Sequence, residues 1–309
     1  MSTDRLYKAQ TRFLFHAHIK IKISVFYPDS VFDMLFAVLE KIDREYNSYQ
    51  SGSYIDLINK SAGCFVDVNG ETADILKKVI FLSDFFEGAY DITIMPLIRL
   101  WGFYKEHQHK VPSPEEINAI KPLVDYRKIE ILDNKVRIAE GQEIITGSFI
   151  KAYAVDKLIE KMKEAGISDA IINAGGSTIY ALNDEAHPSW EIITRSPGNE
   201  SLLFNLKMAN CCYSTSSQSK THINIEGKQY GHILNPVTGY PSLNKQVGIV
   251  SDSCIVGDIV STGLFNETPE GFLKKMDSLS KYYKLEGYIM NEDGGVTCSE
   301  GFRYYHNSL

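Results

Sequence analysis

Residues 13–26 read FLFHAHIKIKISVF, and this stretch decides the class of fold. Apolar β-branched residues alternate with polar ones, and they are Ile19, Ile21, Ile23 and Val25. A period of two is typical of a half-buried β-strand. Residues 31–46 then change to helical spacing, with an apolar face formed by Leu35, Leu39 and Ile42. The chain is therefore expected to begin with a strand followed by a helix.

The same two patterns recur along the chain. Helical spacing predicts helices over residues 74–87, 149–165, 256–265 and 269–279. Strand patterns occur over residues 128–132, 136–138, 170–174, 178–182, 190–194, 202–209 and 282–290. Strands follow one another as often as they alternate with helices, so we expect a mixed α/β (α+β) protein rather than a parallel doubly wound sheet. We assign residues 13–305 to one domain and residues 1–12 to a polar N-terminal extension.

Composition excludes several classes of partner. The 309 residues carry a net charge of −7 and a pI near 5.7, so no positive field is available to attract a nucleic-acid backbone. The five cysteines lack the paired spacing of a zinc site. No apolar run approaches the ~20 residues of a transmembrane helix. We expect a cytoplasmic protein without a membrane span, although an exported or lipid-anchored protein whose leader had been removed would look the same.

Two polar residues on the predicted helix 256–265 could hold a metal ion. Asp258 and Thr262 are four residues apart, so their oxygens lie on one helix face, one turn apart. Hard oxygen ligands of this kind suit Mg²⁺, which completes its coordination with water and phosphate oxygens. The structural alternative is a capped helix with Asp258 near its start and with the threonine hydroxyl bonded back to its own turn.

Lys151 and His232 are the other candidates for chemistry. Lys151 opens a helix after Gly147, where free N–H groups and the helix dipole favour a phosphate. The alternative for Lys151 is an ordinary solvated lysine. His232 lies between Gly231 and an Asn-Pro turn, where an imidazole could take a proton from an attacking hydroxyl or could be structural.

Five blocks in order resemble the ApbE family from about residue 15 onward. The first is an early loop containing Ser48 and Tyr49, and the second, YDITIMPLIRLWGF at 90–103, keeps an acidic residue, a threonine and a Pro-Leu…Leu-Trp-Gly-Phe run in register. The remaining three are GSFIKAYAVD at 147–156, GHILNPVTGYP at 231–241 and GDIVST at 257–262. Five blocks in the same order are far more specific than a single short motif.

The resemblance implies an ApbE-like fold of two lobes with a nucleotide groove between them. It implies an enzyme, a FAD:protein FMN transferase, that uses Mg²⁺ to move FMN from FAD to a Thr or Ser hydroxyl of a target flavoprotein and releases AMP. By correspondence, the metal ligands are Ser148, through its carbonyl, Asp258 and Thr262. His232 corresponds to the catalytic base. The residues that correspond to FAD contacts are Phe15, Tyr49, Ala89, Tyr90, Asp91, Ile145, Lys151 and Ile233.

The chain also departs from the family pattern. The changed positions are Phe15, Ile145, Ala152, Ser177, Ser217 and Asn235. Ile145 stands where the family has an acidic residue near the adenosine, which predicts weaker FAD binding. Two alternatives therefore stay open beside the transferase: an FAD pyrophosphatase that releases FMN and AMP, and a degenerate homologue that binds flavin without transferring it.

Overall fold

The computed structural model describes residues 5–103, 110–218 and 221–306. Its helices are α1 (Ser30–Tyr46), α2 (Tyr54–Lys60), α3 (Gly70–Phe85), α4 (Met95–Trp101), α5 (Pro114–Ile120), α6 (Ile150–Glu164), α7 (Cys254–Gly263) and α8 (Pro269–Leu279). Its strands are β1 (Tyr7–Leu14), β2 (Ala17–Ser24), β3 (Val66–Asp67), β4 (Glu130–Leu132), β5 (Lys135–Arg137), β6 (Ala170–Ala174), β7 (Thr178–Leu182), β8 (Trp190–Arg195), β9 (Leu202–Met208), β10 (Cys211–Ser217), β11 (His222–Ile225), β12 (Lys228–Gly231), β13 (Gln246–Ser251), β14 (Leu285–Met290) and β15 (Val296–Cys298).

An eight-stranded sheet forms the centre of the molecule, in the order β1-β2-β6-β7-β10-β13-β14-β15. Every neighbouring pair in this sheet is antiparallel. Antiparallel neighbours combined with intervening helices give the predicted mixed α/β class, which is confirmed. Among the described residues, no helix has both the length and the apolar character needed to cross a membrane.

The two faces of the sheet are covered by different elements. Helices α1, α6 and α7 pack on one face, where Ile21, Leu158 and Ile259 belong to the largest apolar cluster. The antiparallel ribbon β8–β9 covers part of the other face, and its Trp190 and Leu206 pack with sheet residues in a second cluster. Apolar burial on both faces explains why the central strands read as apolar runs.

A third apolar cluster forms a smaller lobe beside the main body. It gathers residues of α4, α5 and the β11–β12 hairpin, among them Leu97, Ile117 and Ile223. Trp101 is fully buried in this lobe, and its indole N–H donates to the carbonyl of Gly239 at 2.8 Å. Two conspicuous motifs of the sequence, the Trp-Gly-Phe run and the Thr-Gly turn, thus stabilise one another.

Residues 13–26 form the end of one strand, a turn and a second strand, whereas the alternating pattern predicted one strand. The turn residues Phe15 and His16 have φ of 53° and 57°, the left-handed geometry of a two-residue hairpin turn. Glycine or asparagine usually occupies such turns, because other residues pay about 1–2 kcal/mol there. The Phe-His pair therefore gives no turn signal in the sequence.

Residues 7–12, predicted to lie in a polar extension, belong to strand β1 at the edge of the sheet. Their polar character fits an edge strand that remains partly exposed. The sequence patterns also missed strands β10 and β13. Both of these strands lie inside the sheet, and every residue of β13 is buried, so neither shows polar alternation.

Candidate functional site

A cleft of about 890 Å³ opens where the main body meets the smaller lobe. Every residue that the sequence singled out for a site lines this cleft: Phe15, Tyr49, Ala89, Tyr90, Asp91, Ile145, Ser148, Lys151, His232, Ile233, Asp258 and Thr262. They lie up to 247 positions apart along the chain, from Phe15 to Thr262, so only the tertiary fold brings them together. Convergence of this kind is the property expected of a ligand site.

Asp258 lies on the floor of the cleft. Its side chain accepts from the Thr178 hydroxyl at 2.9 Å and 3.0 Å, and only 7% of the residue is exposed. Burial raises the pKa of Asp258 to about 6, although the positive charge of Lys151 and hydrogen bonds from Ser214 and Thr178 oppose that rise. A buried carboxylate held by hydroxyl donors retains lone pairs for a cation.

Gly257 lets helix α7 approach the sheet closely enough to place Asp258. A Cβ at this position would come within 2.7 Å of the Ser214 and Ser251 hydroxyls, which belong to β10 and β13. Any larger residue would push α7 away from the sheet. The Gly-Asp pair of the sequence block therefore joins a packing requirement to a functional side chain.

Thr262 lies one turn after Asp258 on the same helix. Its hydroxyl donates to the Asp258 carbonyl at 3.0 Å and lies 3.0 Å from the Ser216 hydroxyl. The back-bonded threonine of the structural alternative is therefore present. A hydroxyl has one proton and two lone pairs, so donating to the carbonyl and accepting from Ser216 leaves one lone pair for a cation. Thr262 can therefore donate to the Asp258 carbonyl and bind a cation at the same time.

The cap of helix α7 comes from another helix, not from Asp258. Asp156 of α6 accepts from the backbone N–H of Cys254 at 2.8 Å and of Ile255 at 3.1 Å, and from the Ser253 hydroxyl at 3.0 Å. A carboxylate at a helix N-terminus satisfies free N–H groups and complements the dipole. The capped helix of the structural alternative is therefore present, but Asp258 does not provide the cap, and its carboxylate is left for the cleft.

Lys151 and Ser148 approach the same floor from the start of α6. The Lys151 ammonium donates to the Gly147 carbonyl at 3.1 Å, and its charge influences the pKa values of both Asp258 and His232. The Ser148 hydroxyl lies 2.9 Å from the Tyr90 hydroxyl, and burial raises the pKa of Tyr90. This part of the cleft therefore contains one lysine, one carboxylate and several neutral hydroxyls.

His232 faces the cleft in a defined tautomer. Its Nδ1 lies 3.1 Å from the Thr221 carbonyl, and because a carbonyl only accepts, Nδ1 carries the proton. Burial lowers the pKa of His232, and the nearby Lys151 charge lowers it further. The imidazole is therefore neutral near pH 7 with the lone pair on Nε2, which is the form that can take a proton.

The rim of the cleft is aromatic. Phe15 is buried, whereas His16 and Tyr49 are exposed and their rings meet edge to face with centroids 5.5 Å apart. Both rings line the cleft. Residues at this rim come from the β1–β2 turn and from the loop after α1, so they depend less on helix packing than the floor does.

The remaining predicted contacts lie toward the smaller lobe. Ile145 is half-buried and packs against the third apolar cluster. Asp91 is buried, and its carboxylate accepts from the Thr93 N–H, the Thr93 hydroxyl and the Tyr126 N–H. Those bonds make Asp91 an organiser of the loop that precedes α4. The Ala89 carbonyl accepts a hydrogen bond from Asn266.

The residues present fit a magnesium ion, judged by their chemistry. Among the described residues, no group of three His, Cys, Asp or Glu side chains is placed to hold a metal ion. The predicted set is different in kind, with one carboxylate, one hydroxyl and one carbonyl. Asp258 and Thr262 keep free lone pairs at the floor of the cleft, as argued above. Mg²⁺ commonly uses one or two carboxylates plus water and phosphate oxygens.

Several residues that line the cleft or support its floor were not recognised in the sequence. Thr178, Ser214 and Ser216 hold Asp258 and Thr262 in place. The β8–β9 ribbon also contributes Ile192, Ile193, Thr194, Arg195, Ser196, Pro197 and Glu200 to the lining. The run of hydroxyl residues in the second half of β10 was the available signal for the serines, but without the sheet order they had no known neighbour.

Comparison with known proteins establishes the class. The model of the ApbE family matches residues 15–284, so the chain belongs to the ApbE family. It is 28% identical over 236 residues to the FAD:protein FMN transferase of Vibrio cholerae, covering 74% of this chain and 70% of that protein. It is 25% identical over 269 residues to that of Escherichia coli K12, covering 83% and 75%.

Solved structures agree with this assignment at the level of the fold. The ApbE protein of Thermotoga maritima superposes with a TM-score of 0.88 at 22% identity, covering 98% of this chain and 100% of that one. The apo flavinyl transferase ApbE of Pseudomonas stutzeri gives 0.83 at 22% identity, with full coverage of both chains. The predicted ApbE-like fold is confirmed.

Proposed function

We propose that this protein is a flavin transferase that moves FMN from FAD to a Thr or Ser hydroxyl of a target flavoprotein. The observation that carries the proposal is the single cleft in which Asp258, Thr262, Lys151 and His232 lie together. Relatives named FAD:protein FMN transferase support the choice of substrate.

His232 provides the base. An acceptor hydroxyl that reaches Nε2 loses its proton to it as the oxygen attacks the phosphorus of the FMN half. One new P–O bond forms to the acceptor, and the P–O bond to the AMP phosphate breaks. The products are a phosphodiester-linked FMN, AMP and a protonated His232. The Thr221 carbonyl keeps the imidazole in the correct tautomer throughout.

Lys151 and the helix start hold the pyrophosphate. The ammonium lies at the first turn of α6, where the dipole also favours an anion. Asp258, Thr262 and the Ser148 carbonyl would hold Mg²⁺. When bound, the metal supplies positive charge that neutralises the pyrophosphate and the leaving AMP. The half-buried floor limits access of bulk water to these groups.

The test is a mass measurement. The protein is incubated with FAD, Mg²⁺ and a candidate flavoprotein domain, and the domain is examined for the mass of FMN minus water. We expect the increment on one Thr or Ser, with an equal amount of AMP released. Free FMN and AMP without labelled domain would support the pyrophosphatase instead. FAD that is bound and never cleaved would support a degenerate flavin-binding protein.

EDTA provides the matched control for the metal. Chelation should abolish cleavage, and added Mg²⁺ should restore it in the same sample. If EDTA does not affect cleavage, the proposed metal requirement is wrong. The transfer of FMN is then still tested by the mass measurement.

A further inference from the structure

The exposed His16 occupies a turn position whose left-handed backbone does not favour a histidine. It occupies the second position of the β1–β2 turn with φ of 57°, and the preceding Phe15 has φ of 53°. A histidine in this region is strained relative to glycine. The fold alone would be better served by a glycine or an asparagine, both of which adopt this conformation readily.

The strained turn brings the imidazole to Tyr49. The two rings lie at 87° with centroids 5.5 Å apart, an edge-to-face contact, and both line the cleft at its mouth. They are exposed, and burial of the hydrophobic core therefore does not explain the contact. Two aromatic rings held at a cleft entrance form a surface for a flat aromatic ligand.

We infer that His16 is a positioning residue for the flavin ring, which it serves by fixing the ring of Tyr49 at the cleft mouth. This inference rests on the proposed function, because it takes FAD as the ligand of the cleft. The isoalloxazine ring stacks on Tyr49, and the imidazole edge contact restricts the tyrosine to the stacking orientation. Restricting a side chain before binding lowers the entropy cost of binding.

The energy of such an aromatic pair sets the expected effect. Aromatic contacts contribute amounts that correspond to about 2- to 12-fold in an equilibrium constant. Loss of the His16 ring should therefore weaken FAD binding by about 3- to 10-fold. ADP lacks the flavin ring, and its binding should stay within about 2-fold of wild type.

The test compares three substitutions at one position. His16→Asn accepts the left-handed backbone and lacks an aromatic ring, His16→Gly removes the strain entirely, and His16→Phe retains a ring. We expect the Asn and Gly variants to melt at or above the wild-type temperature yet bind FAD 3- to 10-fold more weakly. The Phe variant should keep wild-type affinity. Quenching of flavin fluorescence on binding should fall in the Asn and Gly variants alone.

A double-mutant cycle separates positioning from mere proximity. If His16 acts through Tyr49, His16→Asn should have less than a 2-fold effect on FAD affinity in a Tyr49→Leu background. An unchanged FAD affinity in His16→Asn, or equal losses for FAD and ADP, would overturn the inference while wild-type FAD binding still supported the proposed function. A wild-type protein that binds no FAD would overturn both.

Discussion

The floor and the rim of the cleft are built from different kinds of structure. Asp258 and Lys151 lie on helices α7 and α6, which pack together and against the sheet, and a network of buried hydroxyls surrounds the carboxylate. Phe15, His16 and Tyr49 lie on a turn and a loop at the surface. Two of the six departures from the family pattern, Phe15 and Ile145, lie at the rim, whereas Asp258, Thr262 and His232 match the pattern. We infer that the packed helices α6 and α7 fix the proposed metal and phosphate contacts, and that residues on turns adjust how the substrate is held.

The comparison predicts a large rate effect at the floor with little effect on binding. His232→Ala should lower the transfer rate by about 10²–10⁴-fold, because a general base contributes that much. FAD affinity should change by less than about 2-fold. His18→Ala, at an exposed histidine that does not line the cleft, is the matched control. Normal transfer by His232→Ala would show that His232 is structural.

The pH profile reports on the same imidazole. The pKa of His232 is lowered by burial and by the charge of Lys151, so the neutral base persists below the ordinary value of about 6.5. At saturating Mg²⁺ the rate should fall only as the pH drops below that value. Lys151→Met should move this acid limb to higher pH, and Lys151→Arg should leave it in place. An acid limb that stays at the same pH in both variants would contradict the proposed effect of the Lys151 charge on His232.

Asp258→Asn should lower FAD cleavage by about 10²–10³-fold, since a metal contributes several kcal/mol of charge stabilisation. The same substitution should increase the free energy of unfolding of the metal-free protein. The raised pKa of about 6 means that the charged form is disfavoured in the folded state. The destabilisation caused by the charged carboxylate is fully present above pH 6. It disappears as the pH falls toward 3.8, the pKa of the carboxyl group in the unfolded chain.

Without metal at pH 8, Asp258→Asn should therefore be more stable than wild type, by up to about 3 kcal/mol. The measurement is urea unfolding with and without Mg²⁺, and the wild-type protein alone should gain stability from the ion. The Asp156→Asn variant serves as the comparison. Asp156 caps α7, so this variant should lose about 1–2 kcal/mol. Destabilisation of both variants alike would show that Asp258 is a structural carboxylate.

The smallest expected effect is at the rim toward the smaller lobe. Ile145→Asp should strengthen FAD binding about tenfold, because a carboxylate there can accept a hydrogen bond from the adenosine. Ile145→Val keeps the apolar contact with the third cluster and should bind like wild type. Isothermal titration with FAD measures both variants. Weaker binding by Ile145→Asp would argue against the correspondence between Ile145 and the acidic position of the family.

The sequence alone determined the class of fold and singled out a set of residues that line one cleft. Period-two and helical patterns identified most strands and helices, and five ordered blocks placed His232, Lys151, Asp258 and Thr262 in one family framework. Local sequence patterns are enough to predict a residue's role when that role depends only on residues nearby along the chain. The helix that carries Asp258 and Thr262 is the clearest case, because their spacing fixes their common face.

Only the tertiary structure decided how those residues are supported. The Asp156 cap, the Thr178 bond to Asp258 and the Thr221 bond that sets the His232 tautomer join residues 11 to 98 positions apart. The edge strand β1 and the strained Phe15–His16 turn were also invisible, because a period of two continues across both strands of a hairpin. The physical reason is the same for all of them. Hydrogen bonds and burial depend on which segments meet in space, and a single sequence does not show which segments those are.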